Sequence, residues 1–285
     1  MTWMGCFFKT HPMKKIFLLL ATALSIFTYA QDSTTSHAQF KLSLNYNSNL
    51  NYYGRTDSLK STGFFPLAEV WLGEKFYVNA APVFVNNSVQ KMEYAGTITT
   101  VGFQNSSDKW MTNLFVLKPF YTSGSQLVQS ALKSQAGFSV SSLNKFVNLT
   151  IGGDVKFSDK TDFGATAGLD HIIRKENNNG SVIVIDPSFY AYAGTQNFTN
   201  TYYKKKAGLP LFPSNSQQVT ENVQQFNILA YEASIPFIYV KDKWMILVTP
   251  SYILPQNLLT VPGRPDLSER GEKLFYVTLG LKRTF

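Results

Sequence analysis

From residue 38 onward the chain alternates. Phe40, Leu42, Leu44 and Tyr46 fall on one face of an extended segment, with Lys41, Ser43, Asn45 and Asn47 on the other. A helix cannot sort a period of two into separate faces. The pattern recurs at Val147, Leu149, Ile151, Val155 and Phe157 against Asn148, Thr150, Asp154 and Lys156. It returns at Leu229, Tyr231, Ala233, Ile235, Phe237 and Tyr239 against Glu232 and Ser234. After residue 30 no run approaches the roughly 18 apolar residues of a spanning helix, so a helical multi-span architecture is excluded. Alternation also explains the composition: charged residues make up 15% and aromatic residues 15% of the chain. Soluble domains carry roughly a quarter charged residues. A chain poor in charge that never concentrates its apolar residues places one apolar face against lipid on every strand.

Twelve strands are predicted, near 38–50, 64–72, 76–86, 91–103, 110–122, 135–142, 146–157, 163–174, 181–194, 223–240, 244–254 and 274–285. Gly152, Gly153, Gly164 and Gly168 fall inside strands, as glycine does in curved, closed sheets. Tight turns at 73–75, 105–109, 143–145, 175–180 and 241–243 alternate with longer polar loops at 51–63, 123–134, 195–222 and 255–273. With both termini on the inner side, an even strand count puts every long loop outside. Short inner turns and long outer loops belong to transmembrane barrels. The predicted fold class is therefore all-β: a transmembrane antiparallel up-and-down β-barrel of about 12 strands.

Lys14 and Lys15, the apolar run 16–27 and Ala30 have the three parts of an export signal. Cleavage is expected after Ala30, and the residues before Met13 read as an upstream extension. The expected organisation is 1–30 extension plus cleaved signal, 31–37 polar leader and 38–285 barrel. The first thirty residues hold Lys9, Lys14 and Lys15 and no acid, so 26 basic residues against 18 acidic become 23 against 18. The net charge falls from +8 to +5, and no motif concentrates the remainder, so no nucleic-acid partner is expected. Cys6 is the sole cysteine, which leaves the mature chain without thiol chemistry or disulfides.

In the last strand Phe275, Val277, Leu279, Leu281 and Phe285 share one face. Tyr276, Thr278, Gly280, Lys282 and Thr284 share the other. Here the chain resembles Gram-negative outer-membrane β-barrel proteins of a porin or channel-like type, whose final strand ends in an aromatic residue after alternating apolar ones. The resemblance implies export to the cell outer membrane, contact with its lipid and lipopolysaccharide, and reading of Phe275, Val277, Leu279, Leu281 and Phe285 by the barrel-assembly machinery.

The inferred interior face carries Lys41, Glu69, Asp154, Lys156, Asp170, Arg174, Asp186, Glu232 and Lys282. Both signs across a narrow lumen form either a polar plug or a water-filled constriction that selects solutes. Asp154, Asp170, Asp186 and Glu232 give one wall an acidic bias that favours cations or polyhydroxylated solutes over anions. In the longest loop, Tyr202, Tyr203, Lys204, Lys205 and Lys206 are candidates for outer-loop binding to lipopolysaccharide phosphates or an anionic ligand. The loop at 195–222 is the candidate gate. Within the last loop, Arg264, Asp266 and Arg270 bring opposite charges close enough to brace it.

Aromatics near strand ends, among them Tyr46, Tyr52, Tyr53, Trp71, Trp110, Tyr190, Tyr192, Tyr239 and Trp244, read as interfacial anchors. No cofactor or metal is expected. His37 and His171 are distant in the chain, and alternation puts His171 on the lipid side without an assignable nucleophile. The expectation is a narrow channel or uptake pore for small hydrophilic solutes and not an enzyme. A plugged structural or surface-binding barrel is the alternative, whose loops contact lipopolysaccharide, glycan or a partner protein. A lipid-modifying enzyme is the third reading.

Overall fold

The computed structural model describes residues 38–122, 125, 127–197, 225–260, 263 and 268–285. Twelve strands run through these residues: β1 (Gln39–Asn47), β2 (Thr62–Leu72), β3 (Phe76–Asn86), β4 (Glu93–Ser106), β5 (Trp110–Tyr121), β6 (Ser134–Ser142) and β7 (Asn148–Phe157). They continue as β8 (Thr161–Asp170, then Ile173–Glu176), β9 (Val182–Ile185, then Ser188–Gly194), β10 (Asn227–Ser234, then Phe237–Lys241), β11 (Trp244–Pro255) and β12 (Leu274–Thr284). Every neighbouring pair is antiparallel, and β12 pairs with both β11 and β1. The sheet therefore closes on itself, and only Ile173–Glu176, exposed at the turn end, pairs on one side alone; closure is the condition for strands in a medium that cannot satisfy backbone polar groups.

Three strands are interrupted at about the same height. Prolines explain much of this, since Pro187 and Pro236 lack the N–H that a ladder needs. Their carbonyls still accept from neighbouring strands, His171 N donating to Pro187 O at 3.1 Å and Asp186 N to Pro236 O at 3.0 Å. The strands consequently pass through the break and stay paired.

Register sorts the side chains as alternation requires. Lys41 stands opposite Glu69 and Thr284, Ser43 opposite Leu67 and Lys282, and these point inward. Outward lie Phe40, Leu42, Leu44, Val101, Val116, Phe138, Ile151, Phe163, Phe189, Ile246 and Leu281, all exposed on the barrel's outer surface. Such a belt of large apolar side chains is tolerated only when lipid covers it. Tyr46, Trp110, Tyr239 and Trp244 are exposed on the same surface, as interfacial anchors are.

Inward glycines make room for rings. A Cβ on Gly168 would lie 2.2 Å from the Tyr190 ring, and one on Gly102 2.2 Å from the Tyr77 ring. Each tyrosine covers a glycine on the adjacent strand, Gly168 facing Tyr190 and Gly102 facing Tyr77 in register.

Candidate functional site

The site is the barrel interior, and at the loop end it is lined by residues that sequence reasoning assigned elsewhere. Residues 48–61 leave β1 and form a small hairpin in which Asn51–Tyr52 pairs with Arg55–Thr56. Tyr53 and Gly54 both have positive φ, 52° and 76°, which is the backbone of a two-residue hairpin turn. Asn51 Oδ1 accepts from Gly54 N at 3.0 Å and holds that turn. Glycine is required at its tip because a Cβ there would meet Pro255 at 2.9 Å. The hairpin is tucked against the wall.

Arg55 pins it there. Its guanidinium is 0% exposed, and Nε donates to Glu269 Oε2 at 2.9 Å. The remaining nitrogens donate to the carbonyls of Tyr53, Leu229 and Gln256, each at 3.1 Å. Glu269 Oε2 also accepts from Gln196 Nε2 at 3.2 Å and Leu259 N at 3.1 Å. Backbone bonds between Thr56 N and Arg270 O, and between Glu272 N and Gly54 O, join the first outer loop to the last. A buried ion pair survives only with its other donors and acceptors satisfied, and this one is surrounded by them.

Below the latch the rings descend in a ladder. Tyr52 and Tyr53 have centroids 4.3 Å apart, Tyr53 stacks on Tyr192 at 4.7 Å, and Tyr192 on Tyr190 at 6.2 Å. Burial pushes the phenols of Tyr52 and Tyr53 up, so both stay neutral hydrogen-bonding groups. Tyr52, Tyr53, Tyr190 and Tyr192 are thus interior residues and correct their assignment as interfacial anchors. Trp71 is corrected likewise: it faces inward, with Lys41 Nζ 4.5 Å above its ring and Tyr77 beside it at 5.1 Å. Alternation decides the face of a ring, and on β2 and β9 it turns these rings inside. A second filling lies on the opposite wall, where Val83, Val85, Ala95 and Leu127 are buried together against Leu50 and Phe65.

The charged interior residues separate into paired and unpaired sets. Lys282 Nζ donates to Glu69 Oε1 at 2.9 Å, with Lys41 near both. Lys156 pairs with Asp154 on β7, and both side chains are largely buried. Asp170 Oδ2 accepts from Asn148 Nδ2 at 2.6 Å and has Asp186 beside it. Glu232 Oε1 accepts from the Tyr276 hydroxyl at 2.6 Å. Among the described residues no lysine or arginine lies within ion-pair distance of Asp170, Asp186 or Glu232. Arg174 departs from its expected place: it is exposed on the hairpin between β8 and β9, paired with Glu176 at 2.7 Å. That hairpin extends beyond the neighbouring turns and carries its charges into solvent.

Closure of the ring, an apolar outer belt, a polar inner face and short turns opposite long loops now stand together. The molecule is a transmembrane β-barrel of the outer-membrane type. No family model matches the chain, and no curated protein matches it. Solved barrels resemble it at low identity. The KdgM porin is 6% identical, covering 86% of this chain and 99% of its own, with a TM-score of 0.48. An outer membrane channel from Pseudomonas putida F1 is 10% identical over 90% of this chain and 98% of its own, at 0.45. LpxR from Salmonella typhimurium is 10% identical over 86% of this chain and 100% of its own, at 0.44. Likenesses of this size carry no argument about ligand or mechanism, and the assignment rests on the barrel itself.

The histidine reading has little to build on. His171 lies in the break of β8, where its Nδ1 donates to the carbonyl of Phe146 in the next turn. Among the described residues no three His, Cys, Asp or Glu side chains are grouped to hold a metal ion. His37, Tyr202, Tyr203, Lys204, Lys205, Lys206, Arg264 and Asp266 lie outside the described residues, as does most of the candidate gate at 195–222. Sequence reasoning missed Arg55, Glu269 and Gln196, which look like ordinary loop residues. Asn51 and Gly54 were the available signal, since that spacing marks a turn.

Proposed function

We propose that the barrel is a narrow channel for small hydrophilic solutes that prefers cations and neutral molecules to anions. The observation that carries this is the set Asp170, Asp186 and Glu232, three inward carboxylates without a cation partner among the described residues. In a dry plug each unpaired charge would cost several kcal/mol, on the order of the desolvation penalty of a buried ion. Water in the lumen around these carboxylates removes that cost. Lys41, Glu69, Asp154, Lys156, Asp170, Asp186, Glu232 and Lys282 are the proposed selectivity residues. Their net charge is negative, with three bases against five acids.

The constriction lies at the loop end, where the hairpin at 51–56 and its Arg55 latch occupy the mouth. This same observation favours a second reading, in which the plug is permanent and the barrel serves as a surface-binding scaffold. Single-channel recording in planar bilayers tests both. The channel reading expects small, cation-preferring conductance from the parent, enlarged when residues 51–58 are replaced by a short glycine-serine link. Silence from both proteins at all voltages overturns it in favour of the plugged scaffold.

Two further roles belong to this reading. Tyr202, Tyr203, Lys204, Lys205 and Lys206 would contact lipopolysaccharide phosphates or an anionic ligand at the outer surface. Phe275, Val277, Leu279, Leu281 and Phe285 would serve as the signal for the barrel-assembly machinery. Phe275, Val277, Leu279 and Leu281 face outward on β12, and just beyond it Phe285 N donates to Phe40 O at 2.8 Å where the barrel closes.

A further inference from the structure

At the loop end, beside the latch, lies a cavity of about 220 Å³. Four carboxamides line it, Gln196, Gln225, Asn227 and Asn257, with Thr260, Leu258 and Leu259 completing the wall. None of these side chains carries a formal charge. Gln196 reaches from the cavity to Glu269, but that carboxylate is 1% exposed and already bound to Arg55, Gln196 and Leu259. Its charge is therefore spent inside the latch.

We propose that this cavity binds one neutral, polyhydroxylated ring of the size of a single hexose. A carboxamide offers donors and an acceptor in one plane, the combination that adjacent hydroxyl groups on a ring require. Asn257 is oriented for the task by donating its Nδ2 to Ile228 O at 2.8 Å, which among the described residues leaves its side-chain Oδ1 for a solute hydroxyl. Leu258 and Leu259 supply apolar surface for the C–H face of the ring. Size points the same way: each liquid water occupies about 30 Å³, so the cavity holds the volume of roughly seven, below the pockets of about 300 Å³ and more that take drug-sized ligands. An ionic ligand would lose hydration there and gain no countercharge from the described lining residues.

As the solute class of the channel, this inference rests on the channel reading; as a binding site it rests on the cavity. The site also touches the latch. Gln196 donates both to Asn257 O at 3.0 Å and to the latch carboxylate, so an occupant that draws on Gln196 loosens one of the bonds that hold Glu269.

The test titrates the folded full-length barrel in detergent micelles with glucose and with glucuronate, read by saturation-transfer NMR, beside conductance recordings of the same preparation. Glucose is expected to saturate with a millimolar Kd, and glucuronate to bind at least tenfold more weakly. The paired change Gln225→Leu with Thr260→Val, both at exposed positions, is expected to weaken glucose at least tenfold, and each single change to weaken it in part. Absence of saturable glucose binding, equal binding of both sugars, or unaltered binding by the folded variants overturns the site. A parent that conducts without binding glucose loses the site and keeps the channel; one that binds without conducting keeps the site and loses the channel.

Discussion

Arg55 and Glu269 stand 214 positions apart in the chain and form a 2.9 Å ion pair whose side chains are 0% and 1% exposed. It links the first outer loop to the last and locks the hairpin that narrows the mouth. Removing one partner leaves the other charge buried alone. Glu269→Ala is expected to cost about 3–5 kcal/mol of local stability. Protease sensitivity of residues 48–61 and larger, noisier conductance should both report it. Arg55→Met combined with Glu269→Leu should be much milder, because no charge is left uncompensated. Equal damage from the single and double changes would refute the latch.

The unpaired carboxylates should set ion preference. Asp186→Asn together with Glu232→Gln removes two of the three and is expected to lower the cation-to-anion permeability ratio several-fold. Reversal potentials under a salt gradient measure this directly. Glu69→Gln should act in the same direction, since it removes one negative charge and leaves Lys282 without its partner.

Tyr190 depends on the glycine beneath it. Gly168→Ala places a methyl group 2.2 Å from the Tyr190 ring, and the ring must swing away. Overpacking of this kind costs about 1–3 kcal/mol. Equilibrium unfolding in urea from lipid vesicles gives the loss of stability. Because Tyr190 stacks under Tyr192, which supports Tyr53, conductance should change as well.

The lipid-facing side responds to charge by depth. Ile151, exposed in the middle of β7, is expected to cost about 2–4 kcal/mol as Ile151→Lys in unfolding from vesicles. Asn79→Lys, on the inner face of β3 opposite Glu69, should cost far less and shift ion selectivity toward anions. Similar costs at both positions would contradict the assignment of faces.

Much of this barrel could be read before any coordinates. Each of the twelve predicted strands has a counterpart in the ring, and alternation assigned Lys41, Glu69, Asp154, Asp170, Glu232 and Lys282 to the inner face. Local pattern suffices for that, because successive side chains on a strand must point opposite ways and only one face can meet lipid. Alternation also places Trp71, Tyr190 and Tyr192, yet their positions near strand ends suggested anchors. The face of a ring is a better guide than its height.

Chain length and pattern by themselves determined a closed barrel with an apolar outside, a polar inside and long loops at one end. Tertiary structure alone decided how those loops are used. Nothing local in Arg55, Glu269 or Gln196 marks them as buried, since a charged residue in a polar loop reads as solvated. Their burial follows from the ring bringing residues 55, 196 and 269 to one rim, where folding inward satisfies each group with the others. Periodicity is a property of neighbours in sequence, whereas a latch between two loops exists only once the sheet has closed.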